Sequence, residues 1–255
     1  MKIIKCPICE SDDLSDYFKK EHNNKTYTID ICKNCGVFFV NPQPDDSVLS
    51  NLYSESYFTS RNYESKDKYR INISKKRISQ IRKGIKASFE NAKILEIGCA
   101  MGHFLKCLKD LNAEVYGVEL SEYAATRGKE KFNIEIFPGN LEKSNLIHSK
   151  YDFIFGWDLF EHLKNPNNFL KLCHNILKKH GYLIIHIPYT DSIGYKIYRN
   201  KWKKINPEEH LFYYNYNGIK HLAEKNSFIL INLPFSILKF TDYIFNNTKT
   251  FILQK

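Results

Sequence analysis

Ile94-Leu95-Glu96-Ile97-Gly98-Cys99-Ala100-Met101-Gly102 is the stretch that decides the fold. A hydrophobic strand runs into a tight glycine turn, and a helical stretch begins at Gly102. Glycine at 98 and 102 lets the backbone approach a ligand where side chains would collide. In open α/β sheets such a loop sits at the carboxyl end of a central strand, where cofactors bind. The same rhythm continues on both sides. Candidate strands are Lys93–Ile97, Glu114–Val118, Ile134–Phe137, Phe153–Phe155, Tyr182–Ile187, Phe228–Leu233 and Thr250–Leu253. Helical stretches fall between most of them, at Gly102–Leu111, Glu122–Lys131, Pro166–Lys179 and Asn217–Lys225. Alternation with short turns predicts a mostly parallel sheet of seven strands covered by helices on both faces. The last two strands are close enough in sequence to form an antiparallel edge.

Composition bounds the rest. The 255 residues are 43% apolar and 26% charged, which excludes a disordered chain and a disulfide-stapled miniprotein. The longest greasy stretch, Phe228 to Phe240, is broken by Asn232, Pro234, Ser236 and Lys239 and is too short to span a bilayer. Met1–Cys9 carries no apolar run of signal-peptide length, so the expected location is the cytoplasm. Basic residues exceed acidic ones by 38 − 28 = 10. That excess suits nucleic acid, a membrane surface or an anionic small substrate equally, and the charge alone does not choose.

Four of the seven cysteines form two Cys-x-x-Cys pairs, Cys6/Cys9 and Cys32/Cys35. In a reducing compartment such pairs are metal ligands far more often than disulfides, and two turns together give the tetrahedral sulfur cage that zinc prefers. Pro7 stiffens the first turn and Gly36 follows the second. Tyr27, Ile29 and Ile31 alternate with Thr26, Thr28 and Asp30 as a strand into the second turn, and Val37–Val40 reads as the returning strand. The pattern is a zinc ribbon over residues 1–44; an iron site or two idle pairs are the alternatives.

Residues 45–91 read as a helical connector and active-site cover. Asp45-Asp46-Ser47 is placed to cap a short helix through Leu52. Ile78, Ile81, Ile85 and Phe89 recur at helical spacing, while Lys75, Lys76, Arg77, Arg82, Lys83 and Lys86 mark the opposite face. A solvated basic face is favoured over an RNA-binding stripe.

Several short signals join the glycine loop. The second strand ends on Glu119, twenty-one residues past Gly98, placed to accept both hydroxyls of a ribose. The third is followed by Gly139-Asn140-Leu141, whose amide is suited to an adenine edge. The fourth leads into Trp157-Asp158-Leu159-Phe160-Glu161-His162-Leu163. Together these make residues 92–255 resemble a class I S-adenosylmethionine-dependent methyltransferase. The resemblance implies a Rossmann-like seven-stranded sheet and cofactor contacts from Glu96, Gly98, Ala100, Gly102, Glu119, Leu120, Asn140, Leu141 and Trp157. The family usually has a third glycine where this chain has Ala100. A nicotinamide cofactor is the competing Rossmann reading, but it calls for Gly-x-Gly-x-x-Gly, which Gly98, Ala100 and Gly102 do not supply.

The ribbon, Asn41-Pro42-Gln43-Pro44 and Tyr53-x-x-x-Tyr57-Phe58 resemble a narrower group, bacterial methyltransferases of sugar and surface-polysaccharide pathways. Pro207-Glu208-Glu209-His210-Leu211-Phe212 resembles the Glu-His pair given a catalytic role there. The large C-terminal domain of the sugar C-methyltransferases is lacking, so the resemblance points to O-methylation of a sugar, nucleotide sugar or polysaccharide component. A histidine near neutrality is a fit base for a hydroxyl acceptor. His103, His162, His186 and His210 compete for the role. His210, in an aromatic-rich loop beyond the fifth strand, leads and His162 follows; Glu209 is a candidate to orient the imidazole or contact substrate, with a solvated side chain favoured over both. The other function considered is an rRNA base methyltransferase with a zinc module; the fourth strand lacks the Asn-Pro-Pro-aromatic element of exocyclic amine methylases. A binding module on an inactive methyltransferase fold is the third class. The expected cofactors are S-adenosylmethionine and zinc, and the expected partner is a small or glycan acceptor, anionic in character.

Overall fold

The computed structural model describes residues 2–45, 55–60, 63–231 and 247–255. Two sheets organise them. The larger is built from β4 (Lys93–Ile97), β5 (Glu114–Glu119), β6 (Glu135–Pro138), β7 (Tyr151–Trp157), β8 (Leu177–Pro188), β10 (Ile229–Ile231) and β11 (Thr248–Gln254). Their spatial order is β10-β11-β8-β7-β4-β5-β6. The pairs β6/β5, β5/β4, β4/β7 and β7/β8 are parallel, whereas β11 runs antiparallel to both β8 and β10. Parallel pairing follows from the helical crossovers: α3 (His103–Lys109), α4 (Glu122–Phe132) and α5 (Pro166–Ile176) each return the chain to the same end. The reversal of strand order at β4 opens a crevice at the carboxyl ends of β4, β5 and β7.

Strand ends differ from the sequence reading by small amounts, and one difference is physical. The helix expected over Pro166–Lys179 stops at Ile176, where Leu177 turns extended. Leu177 is buried and pairs with Tyr151, so β8 begins there rather than at Tyr182. His180 then takes a left-handed turn (φ 64°) beside Gly181, whose backbone crosses close to the Asp152 carbonyl. Residues 232 and 233 of the expected sixth strand, and the helix expected through Leu52, lie outside the described residues.

The smaller sheet is antiparallel, in the order β1-β2-β3-β9, from β1 (Leu14–His22), β2 (Lys25–Cys32), β3 (Phe38–Val40) and β9 (Phe212–Tyr213). Asn23 and Asn24, both at positive φ, form the two-residue turn joining β1 to β2. The fourth strand comes from the far half of the chain. Accordingly, Cys6, Ile8, Cys32, Cys35, Val37 and Phe39 share one buried cluster with Ile154, Leu183, Leu211 and Phe212. The ribbon is packed into the main core.

Between the sheets' elements run α1 (Glu55–Ser60) and α2 (Asp67–Ile85), with α6 (Ile193–Tyr198) and α7 (Tyr216–Lys225) later in the chain. Ile78 and Ile81 of α2 are buried, as the spacing expects. Phe89 is buried too, but beyond the helix end, which Lys86 closes in a left-handed conformation. No helix among the described residues is long and apolar enough to cross a membrane.

Candidate active site

The loop after β4 is shaped by three left-handed residues, Gly98 (φ 72°), Ala100 (φ 49°) and Gly102 (φ 74°). A β-carbon at Gly98 would sit 3.3 Å from Leu159, and one at Gly102 would sit 3.2 Å from Ile136. The third position explains the family's usual glycine, because Ala100 holds a conformation that costs an L-residue about 1 kcal/mol or more. The Gly98 and Cys99 amides donate to the Val118 carbonyl, tying the loop to the end of β5.

Glu119, the last residue of β5, is buried and accepts from the Ala100 amide (2.8 Å) and the Ser121 amide (3.0 Å). Burial pushes its carboxyl up, opposed by those amides. Its two oxygens keep further lone pairs for hydroxyl donors. Glu96 is also buried, and its Oε2 has no hydrogen-bond partner. Burial drives that carboxyl well up, with Arg77 opposing and Glu119 adding to the rise. A cation with N–H donors would satisfy it. Trp157 Nε1, at the end of β7, is a second buried polar atom without a partner, this one a donor. The glycine cradle, the orphaned carboxylate oxygen and the Glu119 acceptors form a set that fits S-adenosylmethionine. Leu120 is 51% exposed and Asn140 is exposed, both at the rim, while Leu141 is buried behind them.

The connector packs over this loop through Phe58 of the Tyr57-Phe58 motif and through Tyr63 and Arg70, which the sequence reading did not single out. Phe58 is buried against Met101 and Ala124, with Tyr63 edge-on at 5.0 Å. The Arg70 guanidinium lies 3.2 Å over the Tyr63 ring. Arg77 departs from the expected solvated face. Its guanidinium stacks 4.3 Å over Trp157 and donates to Asp158 Oδ2 at 3.3 Å. Burial would raise the Asp158 carboxyl, but His186, Arg77 and Lys204 together hold it low.

Of the four competing histidines, two are engaged elsewhere. His103 is buried, 2.7 Å from Asp67, which also meets Lys131. His186 contacts the Thr250 hydroxyl at 2.9 Å, and burial lowers its pKa to about 4. The other two are brought together from stretches 48 residues apart (210 − 162). The rings of His162 and His210 stand edge to face, 4.9 Å between centroids. His162 Nδ1–H donates to the Glu209 carbonyl (2.8 Å), and His210 Nδ1–H donates to the Lys204 carbonyl (2.9 Å). Nδ1 is therefore the donor in both rings, and neutral His210 keeps its lone pair on Nε2. Near them Glu161 is fully buried with Oε2 unpartnered; burial and Asp158 drive its carboxyl well up. Ligand-type atoms of Glu161, His162 and His210 all lie within 4.8 Å of one another. The expectation of a near-neutral His210 is corrected. Burial, then the neighbouring His162, pulls it down to about 3, so it is neutral over the physiological range. Glu209 contributes its main-chain carbonyl to His162.

The cysteines converge as their spacing predicts. Cys6 and Cys35 Sγ are 3.7 Å apart, Cys9 and Cys32 Sγ are 3.5 Å apart, and all four lie within 4.8 Å. A regular tetrahedron with Zn–S bonds of about 2.3 Å has edges of about 3.8 Å, so the cage fits zinc. The Cys35 hydrogen bond lowers Cys6 to about 5, while that bond raises Cys35 and burial raises Cys32. Neighbouring thiolates cannot all form without a cation among them.

Comparison with known proteins agrees with the geometry. A family described as a methyltransferase domain matches residues 65–233. The ubiquinone biosynthesis O-methyltransferase of Pelagibacter ubique is 24% identical over 182 residues, covering 65% of this chain and 75% of that protein. The enzyme of the same description from Glaesserella parasuis is 27% identical over 103 residues, 36% of this chain and 44% of that one. Among solved structures, magnesium protoporphyrin IX methyltransferase from Synechocystis, with bound SAH, superposes with a TM-score of 0.61. It is 13% identical and covers 83% of this chain and 100% of its own. The plantazolicin methyltransferase with SAH gives a TM-score of 0.55 at 18% identity, covering 82% and 96%.

Proposed function

The chain belongs to the methyltransferase-domain family and is an S-adenosylmethionine-dependent methyltransferase, and from that footing we propose that it O-methylates a sugar, nucleotide sugar or surface-polysaccharide component. The observation that carries the choice of a hydroxyl acceptor is the His162–His210 pair. The two rings stand edge to face, each held through Nδ1 by a main-chain carbonyl, and His210 is neutral and feels the Asp158 charge. The four-cysteine ribbon packed beside that loop supports the carbohydrate reading, by its resemblance to sugar-pathway enzymes. In this reading Cys6, Cys9, Cys32 and Cys35 hold zinc.

S-adenosylmethionine supplies an electrophilic methyl group on a sulfonium. Glu96, the glycine loop and Glu119 bind and orient it, and Phe58 and Tyr63 exclude water above the loop. His210 Nε2 would take up the proton that the acceptor hydroxyl gives up as its oxygen is methylated. The Lys204 carbonyl stabilises the imidazolium through Nδ1–H, and Asp158 offsets its charge. His162 is the second candidate base, and Glu209 positions it.

The test is methyl transfer from labelled S-adenosylmethionine to a panel of nucleotide sugars, sugar phosphates, capsular oligosaccharides and unmodified ribosomal RNA. Label on a carbohydrate oxygen is expected. Label on RNA alone would overturn the acceptor class. His210→Asn should cut turnover by roughly 10²–10⁴-fold with SAH affinity intact. Loss of turnover in His162→Asn but not His210→Asn would move the base to His162.

A further inference from the structure

We propose that the cavity between the ribbon and α6 is a phosphate-binding site that serves the acceptor. It is an open hollow of about 320 Å³ lined by Phe38, Thr190, Asp191, Tyr195, Lys196 and Arg199, among others. Lys196 on α6 and Arg199, which follows the helix end at positive φ (50°), both line the opening. Neither has an acidic partner among the described residues. The one acid in the wall, Asp191, is already used. Its Oδ2 accepts from the Tyr216 amide at 2.8 Å, and the Lys249 ammonium faces it. Phe38 and Tyr195 are buried at the back and supply an apolar wall.

The surrounding chain extends the positive field. Residues 192–207 contain Lys196, Arg199, Lys201, Lys203 and Lys204 and no acid. The last of these gives its carbonyl to His210, so the run of cations leads from the cavity to the imidazole pair. Asn215 lines the cavity five residues after His210, which puts the two within about 18 Å even if the chain between them is fully extended. Two unneutralised cations beside an apolar wall match a phosphoryl group on an organic body, since a phosphate offers several oxygens to separated donors. The site rests on the acceptor reading only in assigning that phosphate to the acceptor.

The phosphate has two chemical sources, a soluble sugar phosphate or a lipid headgroup. Ile197 and Tyr198, 67% and 60% exposed, flank the cations and would meet acyl chains in the second case. The experiment uses the full zinc-loaded chain with SAH bound. Inorganic pyrophosphate is titrated calorimetrically into wild type, Lys196→Ala and Arg199→Ala. Saturable binding in wild type, weakened at least tenfold in both variants with SAH affinity unchanged, is expected. A parallel arm measures cosedimentation with phosphatidylcholine vesicles with and without phosphatidylglycerol. Vesicle binding that needs both cations and Ile197, without pyrophosphate binding, assigns the phosphate to lipid. Absence of binding in both arms, or binding indifferent to Lys196 and Arg199, overturns the site. No methyl acceptor enters the assay. A chain that binds pyrophosphate but methylates no carbohydrate keeps the site and loses the acceptor reading, and the reverse result loses only the site.

Discussion

Phe38, three residues past Cys35, pairs in antiparallel register with Tyr213, three residues past His210. The Val40 amide also donates to the Leu211 carbonyl at 2.9 Å. At the other end of the ribbon, the Asn23 side chain donates to Glu208 at 2.5 Å, with His22 3.6 Å from the same carboxylate. The four-cysteine module thus grips the His210 loop on both sides.

Purified protein is expected to carry one zinc per chain, read by elemental analysis, and Cys32→Ser is expected to lose it. Metal removal should lower turnover well before it touches cofactor affinity, because Glu96 and Glu119 stand on the other sheet. SAH calorimetry and turnover on the same chelated sample check this. Equal loss of both would show that the ribbon supports the whole domain.

Glu119→Ala should weaken SAH binding by roughly 2–4 kcal/mol, the worth of two charge-assisted hydrogen bonds. It also strips the Ala100 amide of its acceptor. Unchanged affinity by calorimetry would remove the ribose assignment.

Ala100→Gly should stabilise the protein by about 0.5–1 kcal/mol, because φ 49° is strained for alanine and free for glycine. Ala100→Val should destabilise it. Denaturant midpoints settle both signs.

His210 carries a stability signature in pH. Its folded pKa, about 3, lies below the ordinary 6.5, so between those values the unfolded chain binds the proton and the folded chain does not. Its contribution is present in full above pH 6.5 and is lost as pH falls. Lowering pH from 7 to 5 should therefore cost wild type about 2 kcal/mol more than His210→Asn. Parallel unfolding curves at the two pH values, with no change in the difference between proteins, would contradict the burial.

The central sheet was legible because β4, β5 and β7 are apolar runs ending in glycine or an acid, and buried parallel strands leave that mark. The Cys-x-x-Cys spacing likewise carried its own geometry. β1 was missed since only alternate residues are half-buried at the sheet edge, and β9 has just two residues. Arg77 could not be read because periodicity assigns a face and says nothing of how far a long side chain reaches. The meeting of His162 with His210, and the burial that chiefly lowers the His210 pKa, are products of tertiary packing.

The pairing of Phe38 with Tyr213 also sets an order of events during synthesis. At about 5–20 residues per second, the ribbon leaves the ribosome on the order of ten seconds before its fourth strand exists. Until then Phe38-Phe39-Val40 presents a bare apolar edge, open to the wrong neighbour. Chains released before residue 213 should therefore aggregate even when fully loaded with metal, and a slower ribosome lengthens that exposure.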